Sequence, residues 1–64
     1  MMNRIEGGLD VLRREAKNSK GKHRNWRTHN ALMRRAQEHI EACGGDWLAY
    51  ESRLSKEFSD LMKL

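Results

Sequence analysis

The sequence predicts an all-α fold, a small three-helix domain, and three observations predict it. Apolar residues recur at alternating spacings of three and four in three separate segments, as one face of a helix requires. Glycine and polar residues cluster at only two places, Asn18-Ser19-Lys20-Gly21-Lys22 and Gly44-Gly45, and these are the natural helix stops in a chain without proline. At 64 residues, 38% of them hydrophobic, the chain is one domain (1–64) with a thin core. The predicted helices cover about 4–17, 27–43 and 46–63.

In the first helix, Ile5, Leu9, Leu12 and Ala16 form the stripe, with Val11 on its flank. Asn3 followed three residues later by Glu6 resembles a capping box. Gly7 and Gly8 weaken this start, each by roughly 1 kcal/mol against alanine. A helix beginning near Leu9 is the alternative.

The second helix is the best defined. Trp26, His29, Met33, Ala36, Ile40 and Cys43 fall on one face, and Leu32 widens it. Asn25 or Thr28 can cap its start, and Gly44 suits the left-handed position just past its end. Asp46 then caps the third helix, whose stripe runs through Trp47, Tyr50 or Glu51, Leu54, Phe58 and Leu61, with Met62 and Leu64 beside it.

The short connection between helices 2 and 3 forces a compact hairpin or a sharp corner, over which helix 1 closes. The alternative architecture is a helical hairpin that dimerises into a four-helix bundle.

Charge is distributed unevenly. Residues 1–35 hold ten Lys/Arg against three Asp/Glu, a net +7, whereas residues 36–64 hold three against six, a net −3. Such asymmetry suggests a basic contact surface on a neutral or acidic remainder. Helix 2 also carries its charges against the backbone dipole, which favours acids in the first turn and bases in the last. Lys20, Lys22, Arg24 and Arg27 precede or enter its first turn, while Glu38 and Glu41 lie near its end.

On a helical wheel the bases Arg24, Arg27, Arg34 and Arg35 face away from the apolar stripe. With the loop they make a candidate nucleic-acid or anion-binding set of Lys20, Lys22, Arg24, Arg27, Arg34 and Arg35. Phosphate suits it: arginine offers a planar fork, lysine a point charge, and a helix start adds backbone donors. The plainer reading pairs Arg34 with Glu38, four residues on.

Trp26 has two readings. Exposed, it is a stacking residue among arginines. Buried, it is the first rung of helix 2's core stripe, and the spacing favours burial.

Trp47, Phe58, Leu61, Met62 and Leu64 form a candidate protein interface, since so thin a core gains from a partner, a second copy included. His39 and Cys43 lie one helical turn apart, but with no second cysteine neither a metal site nor any cofactor is expected. Cys43 near a helix C-terminus lacks the environment that makes a thiolate, and no glycine-rich phosphate loop is present, so no enzyme is expected.

A lone cysteine and the absence of an 18-residue apolar run or an apolar leader point to a cytoplasmic chain without a membrane span. The function expected is that of a small basic helical nucleic-acid-binding protein of regulatory type. The alternative is a protein-binding module or inhibitor that docks an acidic surface of an enzyme or nucleic-acid machine.

Overall fold

The computed structural model describes residues 3–19 and 26–63 and is a three-helix, all-α domain. Helix α1 runs Arg4–Ser19, α2 Trp26–Ala42 and α3 Trp47–Lys63, within one or two residues of the expected bounds. Each helix packs on both of the others.

Local chemistry explains the ends. Asn3 caps α1, its Oδ1 accepting the Glu6 backbone N–H at 2.8 Å. The Glu6 side chain does not complete a capping box; it turns to Arg13 and Arg53. At the far end of α2 the Gly45 N–H donates to the Ile40 carbonyl (2.8 Å) and the Gly44 N–H to that of Glu41 (3.0 Å). These are the two bonds of a Schellman motif, and Gly44 takes the left-handed φ of 81° that the motif requires. Asp46 then caps α3, its Oδ1 accepting the Leu48 N–H at 3.1 Å.

Cross-helix contacts fix the topology. His29 of α2 meets Ser55 of α3, while Gly8 and Glu15 of α1 meet His39 and Arg35 of α2. Both neighbours of α2 therefore run antiparallel to it. Arg13 with Glu57, and Glu6 with Arg53, set α1 parallel to α3.

Three residues from each helix build the core: Leu9, Leu12 and Ala16; Leu32, Ala36 and Ile40; Leu54, Phe58 and Met62. Ile5, Met33, Trp47, Tyr50 and Leu61 are half-buried against it. Two expectations need correction. Trp26 is 68% exposed and is no rung of the core. The buried arc of α2 centres on Ala36, about 80° around the wheel from Trp26, and the first side chain of a helix points back off its end. Phe58 and Met62, expected at a protein interface, are enclosed in the monomer's own core and present no surface to a partner.

Beyond the core, a partly buried ion network ties α1 to α3. The Arg13 guanidinium donates to Asp10 at 2.7 Å, to Glu6 at 3.2 Å and, through Nε, to Glu57. The hydrogen bond to Glu57 is the chief cause of a pKa held above the ordinary guanidinium value, with burial opposing and Asp10 and Glu6 adding.

Candidate nucleic-acid interface

Antiparallel packing brings the C-terminal end of α1, the start of α2 and the end of α3 to one end of the bundle. That end is basic. Arg14 and Lys17 of α1 and Arg27 of α2 are exposed there and pair with no carboxylate among the described residues. Helix α2 has no acid in its first turn. Glu38, Glu41, Asp46 and Glu51 gather toward the opposite end, so the chain's two-part charge becomes a polarity along the bundle.

Of the six expected cations, Lys20, Lys22 and Arg24 lie outside the described residues, as does Leu64 of the expected interface. The other three part company. Arg27 stacks its guanidinium on Trp26, with Cζ 5.6 Å from the ring centroid. Arg35 forms a two-pronged pair with Glu15 of α1, the Nη2–Oε1 distance being 3.1 Å. Its charge is spent in joining two helices. Arg34 lies 3.6 Å from Glu38, the plainer pairing, and both side chains are so exposed that the contact is weak. The site is thus smaller than expected in α2, where Arg27 and the weakly paired Arg34 remain.

Arg14 and Lys17 are not among the residues expected from sequence. Their spacing of three on one helix face is visible there, and in the structure they line the groove between α1 and α3 beside Asp10 and Glu57, away from the side of α1 on which Gly8 and Glu15 meet α2.

Beside this end, a groove of about 480 Å³ runs between α2 and α3. Asn30, Met33, Arg34 and Gln37 line one wall, Trp47, Glu51 and Ser55 the other, with His29 at the floor. The His29 Nε2 lies 3.5 Å from Ser55 Oγ, while its buried Nδ1 has no partner among the described residues. Trp47, expected at a protein interface, is a half-buried wall of this groove. Leu61 lies in a second groove, between α1 and α3, beside Arg14, Lys17 and Glu57.

His39 and Cys43 serve structure. The His39 Nε2 lies 3.0 Å and 3.1 Å from the carbonyl oxygens of Arg4 and Ile5, which makes that nitrogen the N–H donor. The Cys43 sulfur is 3.9 Å from the same nitrogen. An imidazole already donating to two carbonyls is poorly placed to take a proton from that thiol.

Among the described residues no three His, Cys, Asp or Glu side chains converge as a metal ion would need, and no helix is long and apolar enough to cross a membrane. Compared with known proteins, the chain matches no family model, no curated protein and no solved structure.

Proposed function

We propose that this chain is a small nucleic-acid-binding module of regulatory type that grips phosphates with the basic end of its bundle. The observation that carries the reading is the exposed Trp26–Arg27 stack at the start of α2, whose first turn holds no acid; Arg14 and Lys17, on the α3-facing side of α1, add positive charge to the same end of the bundle. An exposed indole costs a small protein solubility and adds nothing to this core. Interleaved with arginines, it is the combination that stacks on bases while phosphates are held alongside. The loop bases Lys20, Lys22 and Arg24 add to the same charge in sequence.

Fluorescence anisotropy with labelled DNA and RNA oligonucleotides, titrated with salt, tests it. Neutralising about five phosphates gives a slope in log affinity against log salt near −3.5 for single strands or −4.5 for duplex. Failure to bind either polymer at low salt overturns the reading and leaves an acidic protein surface as the target.

A further inference from the structure

We infer that the α2–α3 groove receives unpaired bases, so that the nucleic acid taken is single-stranded. The inference rests on the nucleic-acid reading above and assigns it a substrate class.

Geometry joins the groove to the basic end. Asn30, Met33 and Gln37, at intervals of three and four, line the groove from α2, and Trp26, four residues before Asn30 on the same helical register, stands outside the lining at the helix start. Trp26 therefore stands one turn before Asn30, at the basic mouth of the groove. Because α3 runs antiparallel, Trp47 at its start walls the far end. From Trp26 to Gln37 is about 16 Å along the helix axis, which accommodates at most about five nucleotides of a strand.

The lining suits bases better than phosphates. Phosphate needs donors only, yet this groove carries Asn30 and Gln37, whose carboxamides offer a donor and an acceptor side by side as base edges require. Asn30 makes no side-chain hydrogen bond among the described residues, and Gln37 is committed only to Glu41, at 3.4 Å. Both are available to a ligand. Glu51 on the opposite wall repels a phosphate but accepts readily from an exocyclic amino group.

Trp47 and Met33 provide apolar surface on which a ring can lie. A turn of the loosely held His29 ring about its Cβ–Cγ bond would offer its partnerless Nδ1 to the same space. Along the outer lip, Arg34 and Arg27 are exposed where a backbone would run. A strand seated with bases inward and phosphates outward matches every one of these groups. A duplex, which turns its phosphates outward and keeps its bases stacked inside, would set phosphate against Glu51 and could lay no base face on Met33 or Trp47.

The test compares a fluorescein-labelled single strand of about 12 nucleotides with its duplex at one salt concentration, using the wild-type chain and the variants Trp26→Ala, Asn30→Ala/Gln37→Ala and Arg27→Ala. Each variant's fold is checked by circular dichroism. We expect the single strand to bind at least about tenfold tighter than the duplex. Both Trp26→Ala and the double variant should weaken single-strand binding about fivefold or more at an unchanged salt slope, as loss of stacking and edge contacts does. Only Arg27→Ala should flatten the slope. Equal or tighter duplex binding, or a double variant that binds like wild type, overturns the groove assignment while the nucleic-acid reading stands. No binding to either form overturns both.

Discussion

Gly8 of α1 lies so close to His39 of α2 that a Cβ built on it would stand 2.1 Å from the imidazole Nε2. The ring occupies the place of a side chain and reaches past it to the carbonyls of Arg4 and Ile5. Gly7, one position earlier, has nothing within 4 Å of the point where a Cβ would stand. Two adjacent glycines in one helix thus have opposite meanings. Gly7→Ala should stabilise by about 0.5–1 kcal/mol through helix propensity. Gly8→Ala gains the same propensity but must expel the imidazole, so it should fall at least about 1 kcal/mol below Gly7→Ala. Urea denaturation of both variants checks this, and a His39→Ala background should erase the difference.

Gly44→Ala should cost about 1–2 kcal/mol, because φ of 81° forces a Cβ into the left-handed region. No neighbour lies within 4 Å of the added methyl, so the whole cost is backbone strain. Gly44→Asn, which tolerates that conformation better, should recover part of the loss in thermal melts.

Arg13→Met should destabilise by about 1–3 kcal/mol, since it strips a partly buried hydrogen-bonding partner from Glu57, Asp10 and Glu6 at once. Glu57→Gln, which keeps an acceptor, should cost less. The pH dependence has a definite sign. A folded-state pKa raised above the unfolded one gives stabilisation that is complete below the unfolded value and lost only as pH rises through the folded value. Between about pH 5 and 9 the Arg13 charge is therefore constant. Denaturation midpoints of wild type and Arg13→Met should differ by the same amount across that range, as far as Arg13 itself contributes.

Trp26→Ala should leave stability within about 0.5 kcal/mol of wild type, whereas Phe58→Ala should cost about 3–5 kcal/mol and abolish folding in so small a domain. The reason is burial: Trp26 is 68% exposed and Phe58 is wholly enclosed. Far-UV circular dichroism melts separate the two outcomes directly.

Arg35→Ala and Arg27→Ala should divide stability from binding. Losing the Glu15 partner should cost Arg35→Ala about 0.5 kcal/mol of stability at an almost unchanged salt slope of binding. Arg27→Ala should keep its stability and lose about 0.7–0.9 of that slope. Equal effects on binding would mean a diffuse charge attraction without an organised site.

Much of the fold is legible in the sequence because it is set locally. The stripe of Leu9, Leu12 and Ala16, the stop at Gly44 and the cap at Asp46 each depend on neighbours within a turn or two. Trp26 is misplaced by spacing alone, which ignores where the buried arc ends and that a helix's first side chain projects backward. The candidate site is less legible for a related reason. Arg35 is available in sequence until Glu15, twenty residues earlier, comes to it across the α1–α2 packing. Asn30, Gln37, Trp47 and Glu51 likewise share a groove only once α3 has turned back along α2.

Gly45 has a consequence beyond the turn it belongs to. A Cβ there would meet Ile40 of α2 and Ile5 of α1 equally, at 2.9 Å each. The bend between the last two helices is thus also the seat of the first, and neither surface is complete until all three helices have arrived. Cooperativity is written into that meeting point: a fragment holding only residues 26–63 would bare Gly45 and Ile40 to water. The intact chain should instead melt in a single transition, its helices gained and lost together.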